Sequence, residues 1–269
     1  MALISVKGAG FSYGSQVVFK DVNCAINDGE IFCIVGPNGC GKTTFLDCML
    51  GLSRLAEGEI LLEGLNIATV DISEIAKKVA YVPQSHEKTF PYLVREIVLM
   101  GRAAYTTWYG TPSEEDQEIA DEALELVGLA HLKNKAYTQL SGGEGQLVMI
   151  ARALAQQTQV IVMDEPTAHL DFRHEMNVLE TIVRLARDEN VAIVMATHFP
   201  NHAYYFENNL LNTTVALMSE ANFSAVGRPS DVLSENSLKL LYNVNAKIVS
   251  CQLGDGLELK QIVPVSSIT

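Results

Sequence analysis

The feature that most restricts the fold is the run Gly36-Pro37-Asn38-Gly39-Cys40-Gly41-Lys42-Thr43-Thr44, which fits the spacing G-x-x-x-x-G-K-[ST]. The apolar segment Ile31-Phe32-Cys33-Ile34-Val35 precedes it and reads as a buried strand. Thr43 to Leu50 follows and reads as a helix stopped by Gly51. Strand, glycine loop and helix in that order predict a phosphate site. The glycines let the loop turn its N–H groups inward around a phosphate chain, and the helix start adds free N–H groups of its own. Lys42 is placed to reach the β- and γ-phosphates of a nucleotide, and the Thr43 hydroxyl to ligate Mg²⁺. A glycine turn with no ligand is the plain alternative, and the flanking strand and helix argue against it.

Composition narrows the class. A chain of 269 residues with 48% hydrophobic content can bury a substantial core. No apolar run reaches the roughly 18 residues of a membrane span. The N-terminal segment lacks a charged start followed by a long apolar stretch, so no signal peptide is expected and a cytosolic protein is. A formal net charge of −13 argues against a general nucleic-acid binder and against direct adhesion to anionic lipid. Membrane association would then run through a protein partner. Cys24, Cys33, Cys40, Cys48 and Cys251 form no C-x-x-C pair, so neither a zinc nor a redox motif is indicated. Four are expected to act as small buried hydrophobes, while Cys40 lies in the glycine loop and is a candidate for alkylation.

Along the chain, residues 3–8 and 16–26 suggest strands around a turn at Tyr13-Gly14-Ser15. Tyr13 reads as turn packing or as a platform for an adenine ring. Val79-Ala80-Tyr81-Val82-Pro83 reads as a strand followed by Gln84, either a solvated loop side chain or one that meets ligand or metal at a strand's C-terminal end. Leu93, Ile97 and Met100 are expected to share a helical face, and Ser113-Glu114-Glu115-Asp116 starts another helix. Residues 92–136 therefore look like a helical insertion between sheet segments. Its loop at 105–110 is aromatic, from packing or as a partner surface.

Leu140-Ser141-Gly142-Gly143-Glu144 opens a further helix and makes a second anion-binding element. One domain has little use for two grips on one nucleotide, so the second is expected to act on a nucleotide held by another copy. Val160-Ile161-Val162-Met163 is an apolar strand ending in Asp164-Glu165. Asp164 would hold Mg²⁺ and Glu165 would polarise an attacking water. A second such strand ends at Thr197-His198, where His198 could hydrogen-bond a γ-phosphate. His198 and His202 superficially resemble a metal pair, but no carboxylate or cysteine completes the set. The last part, 210–269, reads as a strand pair at a sheet edge, two short helices and a hairpin turning at Gly254-Asp255-Gly256.

Together these motifs resemble the nucleotide-binding subunit of ATP-binding cassette (ABC) transporters over about residues 3–245. The resemblance implies an α/β fold: a P-loop NTPase (RecA-like) core with an antiparallel β subdomain and a helical subdomain at about 92–158, followed by a C-terminal hairpin extension at 246–269. It implies ATP and Mg²⁺ as cofactors, with Tyr13 stacking on adenine and residues Gly36, Pro37, Asn38, Gly39, Cys40, Gly41, Lys42, Thr43 and Thr44 around the phosphates. Thr43, Gln84 and Asp164 would serve the metal, and Glu165, His198 and Gln84 the chemistry. Ser141, Gly142 and Gly143 would contact the γ-phosphate of an opposite protomer, with Asp171 aligning that interface. The implied assembly is a head-to-tail homodimer closing on two ATP, docked through residues 92–136 on transmembrane permease subunits. It would lie at the cytoplasmic face of the membrane, served indirectly by a substrate-binding protein and without nucleic acid.

Segments 94–102, 123–129 and 166–171 are similar to importers of iron–siderophore, haem and cobalamin, and 197–202 to molybdate/tungstate importers. Two positions depart from the family pattern. Gly145 stands in the first turn of the signature helix, where glycine costs up to about 1 kcal/mol relative to alanine. Phe199 replaces the acidic residue that commonly follows the histidine. A soluble ABC ATPase of DNA repair or translation is the alternative, weakened by the single cassette, the acidity and the lack of a heptad run. A non-catalytic nucleotide sensor is opposed by Glu165.

Overall fold

The structure is a computed structural model that describes residues 2–84, 86, 89–105, 110–252 and 258–268. Strands β1 (Ile4–Tyr13) and β2 (Gln16–Ile26) pair antiparallel around Gly14-Ser15. Strand β3 (Ile31–Val35) leads through the glycine loop into helix α1 (Lys42–Met49). Strands β4 (Glu57–Leu62) and β5 (Leu65–Asn66) complete an antiparallel sheet of order β2-β1-β4-β5. Helix α2 (Ile72–Ala76) precedes β6 (Val79–Val82). Then come the helices of a lobe: α3 (Val94–Leu99), α4 (Glu114–Leu126) and α5 (Gly142–Ala155). The chain returns to the sheet with β7 (Val160–Asp164), α6 (Phe172–Asp188), β8 (Ala192–Thr197), α7 (Asn201–Asn208) and β9 (Thr213–Ser219). It closes with β10 (Asn222–Gly227), α8 (Pro229–Val232), α9 (Glu235–Tyr242) and the hairpin β11 (Val244–Gln252) and β12 (Glu258–Ser267).

The second sheet has the order β10-β9-β3-β8-β7-β6. Its strands β9, β3, β8, β7 and β6 run parallel, and β10 is the antiparallel edge. Both faces are covered, which is why β3, β7 and β8 read as unbroken apolar runs. Successive side chains of a strand face opposite ways. Ile31, Cys33 and Val35 join the core beneath α5 and α6, whereas Phe32 and Ile34 join the core shared with α1 and the antiparallel sheet. The C-terminal ends of β3, β8, β7 and β6 therefore line one edge, each opening into a loop. The C-terminal hairpin is docked on α7 by two asparagines. Asn201 exchanges two hydrogen bonds with the backbone of Ile262, and Asn208 two with that of Lys260.

Two expectations need correcting. The buried face of α3 is carried by Val94 and Val98, while Leu93 and Met100 are exposed. The helix gives way at Met100 to a 3₁₀ turn that presses Gly101 against α5, where a Cβ would stand 2.1 Å from the Arg152 carbonyl oxygen. Val94, Val98 and Gly101 repeat the same i, i+4, i+7 spacing one residue later, so the neighbouring stripe is the buried one and Met100 stays with Leu93 on the outer side. Among the cysteines, Cys33 and Cys48 are buried, Cys24 is half-buried and Cys251 is exposed on the hairpin. The predicted turn at Gly254-Asp255-Gly256 and residues 106–109 of the aromatic loop lie outside the described residues.

The helical lobe is tied by one buried cation. Arg102 donates from Nε to Asp116 at 2.8 Å and from Nη1 to the Ala155 carbonyl and the Gln157 side chain, at 2.9 and 3.0 Å. Asp116 also closes the capping box of α4 with Ser113. The Arg102 guanidinium, with help from Ser113, holds the Asp116 pKa down at about 2. Its stabilising contribution is complete above the unfolded-state value of about 4 and is lost as pH falls toward about 2. Urea titrations should therefore show Arg102→Gln less stable than wild type at neutral pH, with the gap narrowing as pH falls through that window.

Candidate functional site

Two glycines of the loop, Gly36 and Gly41, face neighbours that leave no room for a side chain. A Cβ on Gly36 would stand 2.5 Å from the Met218 carbonyl oxygen, and one on Gly41 2.8 Å from Val18 Cγ1. Gly39 and Gly41 have φ of +79° and +107°, a region that L residues rarely adopt. Val18 lies on β2, so the β1–β2 hairpin overlies the loop, with Tyr13 at its tip. Tyr13 is exposed, its ring edge-on to Phe11 at 4.9 Å. Cys40 is half-buried and burial raises its pKa, so it is not an activated thiolate.

Lys42 is buried, and its ammonium donates to the carbonyls of Gly36 and Pro37 at 2.9 and 3.1 Å. The same ammonium lies 3.4 Å from Glu165 Oε1. Glu165 gathers the other strand ends. Its Oε2 accepts from Gln84 Nε2 at 3.1 Å and lies 3.0 Å from His198 Nδ1. Glu165 also adopts φ of +45°, which aims its carboxylate back across the strand ends while its N–H bonds the Ala196 carbonyl. A non-glycine residue in that region carries strain of order 1–3 kcal/mol. Beside it, Thr43 donates its hydroxyl to Asp164 Oδ2 at 2.7 Å. Burial raises the Asp164 pKa, the Thr43 hydrogen bond opposes that, and Glu165 adds to it. Asp164 Oδ1 is buried with no hydrogen-bond partner among the described residues. A hydroxyl and a carboxylate with one free buried oxygen form a hard-oxygen donor set, which fits Mg²⁺.

A second cluster forms where α5 meets α6. Ser141 is the N-cap of α5 and makes a reciprocal capping box with Glu144. Gly143 lies under His174, whose ring would come 2.1 Å from a Cβ there. His174 in turn is held by Asp171, the N-cap of α6, at 2.8 Å. So the predicted residues fall into two sets. Lys42, Thr43, Gln84, Asp164, Glu165 and His198 meet at the sheet edge. Ser141, Gly142, Gly143 and Asp171 meet at the α5–α6 junction. His202 is no partner of His198 but a buried link between Thr197 and Glu175. Phe199 packs against His198 at a tilt of 41°, with ring centroids 3.9 Å apart. Sequence reading missed Tyr242, whose hydroxyl donates to the His198 carbonyl at 3.0 Å. It lies 44 residues along the chain, and no local pattern marks it.

Residues 19–168, more than half the chain, match the ABC transporter family. The chain belongs to that family. This ABC subunit therefore binds and hydrolyses ATP. It is 34% identical to the molybdate import ATP-binding protein MolC of Haemophilus influenzae, over 90% of this chain and 88% of that one. It is also 34% identical to the iron(3+)-hydroxamate import ATP-binding protein FhuC of Bacillus subtilis, over 93% and 91%. Among solved structures, an inward-facing transporter described as metal-chelate type superposes with a TM-score of 0.86, at 32% identity and 98% coverage of both chains. The P-loop α/β fold expected from the sequence stands. The soluble non-transport alternative gains no support from these relatives.

Gly143→Ala tests the second cluster. The methyl would push the His174 ring off its seat, so ATP hydrolysis should fall by about tenfold or more. ADP affinity, measured by equilibrium titration, should stay within about twofold, since the sheet-edge set is untouched.

Proposed function

We propose that this ABC ATPase drives an importer of a metal chelate, of the iron–siderophore, haem or cobalamin kind, with molybdate or tungstate as the other candidate cargo. The observation that carries the catalytic part is Glu165, a single carboxylate reached by Lys42, Gln84 and His198. In this reading Glu165 is the general base toward the attacking water. His198 Nδ1 orients it, which leaves Nε2 for the γ-phosphate. Lys42 neutralises the β- and γ-phosphates, the loop 36–44 wraps them, and Tyr13 supports the adenine. Thr43 and Asp164 would hold Mg²⁺, with Gln84 beside them. The ion would offset phosphate charge as it develops.

The second cluster makes sense as half of a shared site. Ser141, Gly142 and Gly143 present a helix N-terminus to the γ-phosphate held by a second copy, and Asp171 aligns the shared face. The working unit is then a head-to-tail homodimer with two ATP. Among the described residues no helix is long and apolar enough to cross a membrane. A groove of about 300 Å³ supports a permease contact: Leu52, Ile72 and Met100 are exposed beside it, and Tyr81 leads from it toward Gln84. The same reading places the subunit at the cytoplasmic face of the membrane, with a substrate-binding protein acting indirectly. It divides the chain into a cassette at 1–245, with a helical subdomain at about 92–158, and a hairpin extension at 246–269.

Glu165→Gln should lower turnover by about 10²-fold or more while leaving ATP bound. Gel filtration with ATP should then show a trapped dimer, and adding Ser141→Arg should abolish it. A monomer that hydrolyses ATP at the wild-type rate with Ser141 replaced would sink the shared-site reading. Turnover that is indifferent to Mg²⁺ removal would sink the metal assignment.

A further inference from the structure

We propose that the hydrogen-bond chain Glu175–His202–Thr197 is a positioning brace that ties His198 to the face offered to the second copy. This rests on the shared-site reading given above and names the device that keeps its two halves in step.

The chain is complete and directional. His202 is only 3% exposed. Its Nε2 lies 2.7 Å from Glu175 Oε1 and its Nδ1 2.9 Å from Thr197 Oγ1. Thr197 Oγ1 already accepts the Phe199 N–H at 3.1 Å. An ionised Glu175 can only accept, so Nε2 is the donor toward it, and in the neutral ring Nδ1 is left to accept the Thr197 hydroxyl proton. The imidazole proton then sits on Nε2 and is donated to Glu175. The Glu175 pKa is lowered chiefly by the bond from His202, in keeping with a carboxylate at the chain's end.

Each end of the brace reaches a different half of the proposed machinery. Thr197 ends β8 and is followed directly by His198, which lies 3.0 Å from Glu165. Glu175 stands in the first turn of α6, one residue after His174, which seats Gly143, and four after the N-cap Asp171. One helical turn thus holds the second cluster through His174 and the catalytic strand end through Glu175. Phe199 lies between the two histidines, 3.9 Å from His198 and 5.5 Å from His202 by ring centroid, so displacing either ring disturbs the other. A buried polar chain of this kind adds little net stability. What it fixes is the position of α6 relative to the end of β8.

The test uses the full-length chain and three readouts: ADP affinity, the ATP concentration needed to form the dimer in a Glu165→Gln background, and steady-state kcat and KM with Glu165 intact. For Glu175→Ala we expect ADP affinity within about twofold of wild type, a rise of about fivefold or more in the ATP needed for dimerisation, and a fall in kcat of about tenfold. His202→Gln keeps a donor toward Glu175 and should recover most of the loss, whereas His202→Ala should not. Wild-type dimerisation and kcat in a folded Glu175→Ala would overturn the inference. So would parallel losses of ADP affinity and dimerisation, which mark a merely structural role. If Glu165→Gln alone never dimerises with ATP, the shared-site reading fails and the brace fails with it, a result distinct from the other two.

Discussion

The structure depends on one carboxylate being held in common by four loops. Glu165 follows β7, Lys42 follows β3, Gln84 follows β6 and His198 follows β8. Parallel strands put all four ends on the same edge, and the strand order makes β3, β8, β7 and β6 consecutive neighbours. No single loop could present these groups together. The sheet therefore comes before the site, and the sheet exists because both of its faces can be buried. Strand β3, like β7 and β8, supplies side chains to the two cores in alternation, so the glycine loop starts from a strand held on both faces.

The sheet-edge site holds three features that carry a local cost. Glu165 in a left-handed conformation, Asp164 Oδ1 buried without a partner among the described residues, and a lysine ammonium buried among carbonyls would all be costly elsewhere. In the proposed reading, bound nucleotide and Mg²⁺ would give the Lys42 ammonium and the Asp164 oxygen their partners. The surrounding cores, dense with fully buried aliphatic and aromatic side chains, hold these groups in place meanwhile.

Much of this was legible because the decisive signals are local. Gly36 to Thr44 lies between a recognisable strand and helix, and Asp164-Glu165 terminates an apolar run. Ser141 is a sound N-cap in sequence and in structure. Where the sequence fell short, the reason was distance or two helix stripes of equal spacing. Leu93, Ile97 and Met100 do share a face of α3, but the stripe one residue along, Val94, Val98 and Gly101, is the buried one. Arg102 meets Asp116 from one segment and Ala155 and Gln157 from another, and Tyr242 reaches His198 from beyond β10. The His198/His202 spacing was rightly set aside as a metal pair, but the actual partner of His202, the Glu175 carboxylate on α6, lies 27 residues away and left no local mark.

The docking of the hairpin on α7 has a consequence of a different kind. The outer strand of a two-stranded ribbon ordinarily offers a row of unpaired amides to any extended peptide that passes. Here the carboxamides of Asn201 and Asn208 stand in for a third strand, occupying the N–H and carbonyl of Ile262 and of Lys260. Two side chains thus seal a border that would otherwise recruit foreign chains, and they protect the protein from aggregating through its own last strand.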